Sequence, residues 1–229
     1  MRLATTVILL LAAAAQVRSD EKPLDLSIAW KDHMLTVSGE GVPGGEVKIW
    51  YLEAYCRPGS TDRVWGETVI GHKTELISTS DDRKSIRLKD TLKDGVIVEH
   101  LIESHGDEVT FQLTAHNPTD VESQAHWAQP CMRVETFTGA GKDDARELVP
   151  AYAKKCFVFQ DGALTRLPTK PWADKARYIP GQVYGAPGVD RDDLNPRPLS
   201  DIVPSSGLCG CFSADDKMIL AVAWEPYQE

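Results

Sequence analysis

The first chemistry that this 229-residue sequence offers is proton exchange between a histidine and a carboxylate. Such a pair can act as base and acid, as sugar-directed lyases and epimerases require. His126 lies at the start of a predicted strand. The carboxylates that could join it are Asp192, Asp193 and Glu225. The alternative is that all of these are hydrogen-bonded or solvated side chains. Glu99 and His100 are neighbours on one predicted strand, so they point to opposite faces and form no such pair.

A proline-rich stretch, residues 168–204, offers a second kind of chemistry, ligand binding. It carries seven of the 14 prolines, and connections of that length are uncommon in a compact domain unless they are functional or disordered. Recurring aromatic and aliphatic residues favour an ordered loop over the surface. Aromatic rings beside arginine and aspartate are typical of sugar-binding surfaces, whereas the alternative is that the rings pack onto the core. The predicted ligand-binding residues are Trp127, Trp172, Arg177, Tyr178, Arg191, Asn195 and Arg197.

An acidic cluster within that stretch raises the question of a metal site. Asp190, Asp192, Asp193 and Asn195 offer oxygen ligands, but an EF-hand loop would need a glycine where Asn195 stands. The arginines of the stretch are suited to charge-assisted pairing with these carboxylates, which would fix the loop. We therefore predict no metal site and no cofactor.

Five cysteines add the option of disulfide chemistry. In an oxidising compartment two bridges could form in about fifteen ways, with one thiol left over. Cys209 and Cys211 are the only close pair, and in a strand their sulfurs would share a face without bridging each other. We predict small buried core residues, with or without one bridge.

The N-terminal residues predict export. Met1-Arg2-Leu3 gives a positive start, residues 4–15 are apolar apart from two threonines, and Ala13-Ala14-Ala15 offers small residues for cleavage. We therefore predict a signal peptide over residues 1–15, one domain over residues 16–229, and a periplasmic or extracellular protein. The apolar run is shorter than the roughly 20 residues that cross a bilayer, so no membrane span is predicted in the mature chain.

Charge and motif content disfavour several partners and activities. The formal net charge is −9, and removal of Arg2 with the leader changes it to −10. An acidic surface disfavours nucleic acid and anionic lipid as partners. The sequence has no G-x-S-x-G, H-E-x-x-H, P-loop or G-x-G-x-x-G motif, which disfavours common hydrolases, zinc proteases and nucleotide-binding enzymes.

Short alternating runs predict the strands that must position these residues. Apolar and polar residues alternate over segments 24–28, 34–37, 47–52, 85–88, 96–102 and 109–115. Segments 156–159 and 164–167 flank Asp161-Gly162, a strong hairpin signal, and one helix is predicted over residues 142–155. We predict an all-β fold, an antiparallel β-sandwich with one short helix and a long proline-rich ordered loop.

The last predicted strand, residues 218–224, is apolar throughout and ends five residues before Glu229. A long apolar strand at a sheet edge is usually covered or paired. Either this strand is central in its sheet, or the natural chain continues further. A large apolar surface around it would favour a structural or interaction domain of an envelope assembly.

Two runs resemble a family of uncharacterised secreted bacterial β-rich proteins with no assigned activity. The first is Val109 to Asp120, leading into His126-Trp127-Ala128-Gln129-Pro130-Cys131. The second is Tyr178 to Val183, followed by Arg191 to Ser200. The resemblance covers most of the mature chain, implies no catalytic residues, and implies a chain that runs on past Trp224. More loosely, the element strand, Asn-Pro-Thr-Asp, strand resembles extracytoplasmic sandwich modules, including sugar-handling ones.

These observations favour an exported binding protein over an enzyme. The best-supported function is a carbohydrate- or glycoconjugate-binding β-sandwich module, so the predicted partner is a carbohydrate ligand. The alternatives are a sugar-active enzyme of the lyase or epimerase type, which would use His126 and a carboxylate, and the envelope interaction domain. The sequence leaves the oligomeric state open.

Overall fold

Strands dominate the structure, a computed structural model that describes residues 4–13, 24–58, 65–140, 151–167 and 203–225, with residues 4–13 and 224–225 described by their backbone only. In chain order the strands are β1 Ala4–Ala13, β2 Ser27–Lys31, β3 Met34–Ser38, β4 Glu46–Cys56, β5 Val69–Ile70, β6 His72–Thr79, β7 Ser85–Leu92, β8 Ile97–His105, β9 Glu108–His116, β10 Trp127–Arg133, β11 Cys156–Gln160, β12 Ala163–Arg166, β13 Leu208–Phe212 and β14 Met218–Glu225. The helices are α1 Trp65–Thr68, α2 Glu135–Thr138 and α3 Ala151–Lys155.

The strands form two antiparallel sheets. The larger has nine strands in the order β12-β11-β13-β14-β1-β9-β8-β7-β6. The smaller has the order β10-β4-β3-β2, with β5 paired to β4. Buried side chains from both sheets belong to one apolar cluster, so the sheets pack face to face. The predicted all-β, antiparallel sandwich is therefore the fold observed.

Alternation along each strand decides which side chains enter this core. On β7, Ile86, Leu88 and Leu92 are buried, and Arg87, Lys89 and Thr91 alternate with the inward positions on the other face. On β3, Leu35 and Val37 are fully buried in the same cluster. Burying one aliphatic side chain of this kind contributes about 1.5–3 kcal/mol, so the apolar stripes supply the main drive for sheet packing.

The predicted hairpin at Asp161-Gly162 is confirmed. These two residues join β11 to β12, and Phe159 and Leu164 are register partners. Asp161 has φ 52° and Gly162 has φ 76°, a left-handed pair that suits the two-residue turn of a right-twisted hairpin.

Several elements differ from their predicted bounds or number. The strand predicted to begin at Leu24 is β2 and begins at Ser27, because the Leu26 amide donates to the Gly106 carbonyl in a loop contact instead of joining the ladder. Strand β6 was not predicted, since its mostly exposed, polar side chains carry no apolar alternation. The described residues contain three short helices, and α3 is the described end of the predicted helix, whose residues 142–150 lie outside the described part.

Residues 4–13, which the sequence predicts to belong to a signal peptide, form strand β1 in the larger sheet. Its backbone pairs with β14 on one side and with β9 on the other. Leu9, for example, is the register partner of Val222 and also of Val109. Strand β14 is therefore internal to the sheet, with β13 on its other side.

Candidate functional site

A buried polar network joins the two sheets. Tyr51 and Tyr55 reach it from β4, and Asp90 and His100 reach it from β7 and β8; we call these four side chains the central network. Tyr55 Oη donates to Asp90 Oδ2 at 2.5 Å. His100 Nε2 lies 3.1 Å from the same oxygen, and His100 Nδ1 lies 2.9 Å from Tyr51 Oη. Each ring nitrogen of the histidine therefore has a hydrogen-bond partner.

Strand register brings Asp90 and His100 together. Asp90 is the register partner of Val98, so His100, two residues further along β8, is its diagonal neighbour on the same face. Both residues occupy inward positions in otherwise apolar stripes. On β4, Tyr51 and Tyr55 are 2 % and 4 % exposed and face them from the opposite sheet.

Electrostatics keep Asp90 ionised and the two phenols protonated. Burial opposes ionisation of Asp90, but the hydrogen bond and the charge of His100 outweigh it, and the pKa of Asp90 lies below its usual value. Burial and the nearby Asp90 charge raise the pKa of both Tyr51 and Tyr55. The phenols therefore serve as hydrogen-bond donors to the network near neutral pH.

A second histidine lies at the edge of this network. The rings of His72 and Tyr55 meet edge to face, with centroids 5.0 Å apart. Burial lowers the pKa of His72, and Asp90 opposes that shift. Within the described structure, His72 Nε2 is a buried atom without a hydrogen-bond partner. Thr74 is the register partner of Asp90 on the neighbouring strand, and its side chain helps to lower the pKa of Asp90.

The burial of the central network decides what it can do. Asp90 is 1 % exposed and His100 is 2 % exposed, so a substrate cannot reach either group in this conformation. A carboxylate placed like this is stabilised only by its hydrogen-bond donors and by His100 beside it. The network therefore fixes the relative position of the sheets, because a slip of either one would leave a buried charge unpaired.

The sequence-predicted site residues fall mainly outside the described structure. Those outside it are Trp172, Arg177, Tyr178, Arg191, Asp192, Asp193, Asn195 and Arg197. His126 is exposed, and its backbone amide donates to the Cys56 carbonyl. Trp127 is 8 % exposed and packs near Trp65, with its indole nitrogen buried. Glu225 ends β14, and its backbone pairs with Thr6.

Sequence reasoning missed the central network, although the sequence holds a signal for it. The separation of Glu99 and His100 onto opposite faces was correctly predicted. That same alternation marks His100 as an inward polar residue between Val98 and Ile102. A polar side chain at an inward position of an apolar strand face needs a buried hydrogen-bond partner. Asp90 is such a residue on β7, as His100 is on β8.

An exposed tryptophan marks the outer face of the smaller sheet. Trp50 is 38 % exposed and is the one aromatic among the large apolar side chains that stay exposed in the described ranges. The Arg133 guanidinium lies 5.7 Å from the centre of its ring. Register places Met34 on one side of Trp50 and Cys131 on the other. The indole is thus presented on a sheet face rather than at a loop tip.

Charged groups surround this tryptophan. Lys48, the register partner of Arg133, pairs with Glu46 at 2.8 Å. Burial raises the pKa of Cys131 to about 11, Arg133 opposes this, and Glu53 and Glu135 add to it, which places both carboxylates near the thiol. We call Trp50, Arg133, Lys48, Glu53 and Glu135 the Trp50 patch. It combines an apolar ring with donors and acceptors of both charges.

Two cysteines face each other across neighbouring strands. Cys156 on β11 is the register partner of Cys211 on β13, and Cys209 lies opposite Val158 on the same face. All five cysteines lie in the described ranges, and none of them forms a disulfide there. The hydrogen bond from Cys211 lowers the pKa of Cys156 despite its burial, and the same contact raises that of Cys211. Burial raises the pKa of Cys209 to about 12. Cys156 is therefore the thiol of this cluster that ionises first.

Under oxidising conditions we expect one disulfide, between Cys156 and Cys211. Opposite residues in antiparallel strands have Cα atoms about 4.5–5.5 Å apart, within the range that a disulfide spans. The Cys156 thiolate attacks oxidised glutathione and releases one reduced glutathione. The Cys211 thiolate then displaces the second, so two electrons pass to the oxidant. Thiol titration should show a loss of two thiols, and mass spectrometry should find the Cys156–Cys211 peptide pair.

Cysteine variants separate this pairing from the others. Cys209→Ser should still lose two thiols, whereas Cys156→Ser should lose none by this route. A Cys209–Cys211 bridge in the wild-type chain would contradict the expected pairing, because both sulfurs lie on one face of β13.

The described residues contain no group of three or more His, Cys, Asp or Glu side chains arranged to hold a metal ion. No helix among them is long and apolar enough to cross a membrane.

Comparison with known proteins adds no relative from which a role could be transferred. No family model, curated protein or solved structure matches the chain. The resemblance to secreted bacterial proteins accordingly stays a prediction.

Proposed function

We propose that this protein is an exported, carbohydrate-binding β-sandwich module, and that the Trp50 patch is part of its ligand site. The export component rests on the predicted signal peptide over residues 1–15. The binding component rests on the exposed indole of Trp50, at 38 % exposure on an open sheet face. The loop residues predicted from the sequence remain candidates for the same role, since they lie outside the described structure.

The indole supplies the apolar half of sugar recognition. Sugar rings expose C–H groups on their flat faces, and an aromatic ring buries them at small entropic cost because it has few rotatable bonds. The Arg133 guanidinium lies over the ring at cation–π distance, an attraction that favours this orientation of the indole. A ring held in place binds with less loss of conformational entropy than a mobile one.

The charged groups supply the polar half. Sugar hydroxyls both donate and accept hydrogen bonds, so they need donors and acceptors side by side. Arg133 and Lys48 donate, and Glu53 and Glu135 accept. A mixed set of this kind favours a neutral, polyhydroxylated ligand over a nucleic acid, which would meet repulsion from the chain's formal net charge of −9.

Trp50→Ala is expected to weaken glycan binding at least about tenfold, the effect of losing about 1.4 kcal/mol at a contact hot spot. The wild-type chain would first be screened on a glycan array. The strongest binder would then be titrated by calorimetry against wild type, Trp50→Ala and Trp50→Phe. Because Phe keeps an apolar ring, it should retain part of the affinity.

Trp172→Ala distinguishes the Trp50 patch from the loop. Loss of binding in Trp172→Ala with normal binding in Trp50→Ala would move the ligand site to the loop. Absence of any glycan ligand for the wild-type chain at millimolar concentration would contradict carbohydrate binding altogether. Thermal unfolding of each variant serves as the control for folding.

A further inference from the structure

We propose that the gap between β9 and β14 accepts an extended apolar strand from another polypeptide once residues 1–15 have been removed. In this structure β1 occupies the gap. We call the facing edges of β9 and β14 the strand slot. The inference rests on the export component of the proposed function and is independent of glycan binding.

Backbone pairing shows that the slot is built for one strand. Residues 6–13 pair with β14, and residues 4–10 pair with β9, in both cases antiparallel. Removing this strand leaves two rows of amides and carbonyls that face each other without partners. Such groups must be satisfied by water or by another strand, and open edges of this kind recruit new strands.

The residues along the two edges specify the chemistry of the occupant. On the core side of the sheet, the two edges of the slot carry four buried apolar side chains, Val109 and Phe111 of β9 and Leu220 and Val222 of β14. On the outer side, β9 presents the half-buried Thr110 and the exposed Gln112, whereas β14 presents the buried Ala221 and the half-buried Ala223. The slot therefore selects a segment with apolar side chains at alternate positions and tolerates polar ones opposite Thr110 and Gln112.

The width of the slot excludes a folded partner. Neighbouring strands lie about 4.7–4.9 Å apart, so the edges are separated by about two such spacings. One strand fits between them. An edge strand of a second folded copy would bring its own neighbour into collision with β9 or β14. The occupant is therefore a flexible segment of a partner polypeptide that becomes ordered when it pairs.

The test uses the exported chain, residues 16–229, with two synthetic peptides based on residues 4–13. The first peptide carries Thr6→Lys and Ile8→Lys, at positions that register with Gln112 and Thr110 on the outer side. The second carries Val7→Lys and Leu9→Lys, at positions that register with Phe111 and Val109 on the core side. The two peptides have equal charge and differ by a one-residue shift of the lysines.

Hydrogen exchange of the β9 and β14 amides is the readout. At a peptide concentration about 100 times Kd, the first peptide should slow exchange along both strands by about 100-fold. The second peptide should leave exchange unchanged at the same concentration, because it places ammonium groups in the core.

Three results would overturn the inference. The amides of β9 and β14 in residues 16–229 alone could already be as protected as in the full chain, which would mean that the slot closes or is filled by the chain itself. Both peptides could protect equally, which would indicate non-specific apolar binding. The third result is that neither peptide slows exchange of the β9 and β14 amides. Mass spectrometry of the exported N-terminus reports separately on leader removal, and the glycan titrations report separately on the Trp50 patch.

Discussion

His100→Leu is expected to lower the free energy of unfolding by about 3–5 kcal/mol, among the largest effects of any single change in this chain. The substitution leaves the Asp90 carboxyl buried without His100, so that Tyr55 is its remaining donor within the central network. It also removes the hydrogen-bond partner of the buried Tyr51 hydroxyl. Denaturant unfolding of the purified variant measures the change directly.

A double-mutant cycle separates the His100–Asp90 interaction from simple loss of packing. The Asp90→Leu/His100→Leu chain should be more stable than the sum of the single changes predicts, by about 1–3 kcal/mol, because no unpaired charge remains. Glu99→Leu is the matched control, since Glu99 is the exposed neighbour of His100 on β8 and should change stability by less than about 0.5 kcal/mol. Strict additivity in the cycle would show that the two groups do not interact.

Acid should weaken the same interaction. The pKa of Asp90 in the folded chain lies below the value of about 3.9 for an unfolded chain. The unfolded chain therefore binds the proton more readily, so the contribution of Asp90 is fully present above about pH 4 and is lost as the pH falls through its folded pKa. Asp90→Leu should remove this part of the acid dependence while leaving that of surface carboxylates.

The sequence predicts those features of the fold that repeat along a strand. Strands β3, β7, β8 and β9 follow an alternation that is visible in the sequence, and the dipeptide Asp161-Gly162 predicts the hairpin turn. The turn at Asp32-His33 is not recognisable from the sequence, because neither residue is glycine. Both residues nevertheless have left-handed φ angles, 51° and 64°. The sequence also does not predict which strands are neighbours in a sheet, because pairing depends on contacts between distant segments.

The candidate sites illustrate the same limit. His100 could be recognised as an inward polar residue, but its partner Asp90 is identified only when β7 and β8 are in register. Trp50 follows an inward Ile49, so alternation predicts an outward indole; that Arg133 stacks beside it depends on the pairing of β10 with β4. Single positions are therefore readable from the sequence, whereas their combinations require the fold.

Gly210→Ala is expected to destabilise the chain by at least about 1–3 kcal/mol, because the new methyl group has no space. A Cβ at this position would lie 2.3 Å from the Leu220 carbonyl oxygen and 2.8 Å from the Phe157 ring. A ring can move aside, but the carbonyl belongs to the backbone of β14, so β13 and β14 would have to separate. Thermal unfolding of the variant measures the cost.

Gly66→Ala is the matched control for this change. Gly66 lies in α1, a Cβ there would meet nothing within 4 Å, and alanine favours helix, so this variant should be neutral or slightly more stable. Equal unfolding temperatures for the two variants would contradict the close packing of β13 on β14. Close packing also explains why position 210, between Cys209 and Cys211, is a glycine. Without a side chain at position 210, the Phe157 ring can lie over the strand, and this close packing holds β13 in the register that sets Cys211 opposite Cys156.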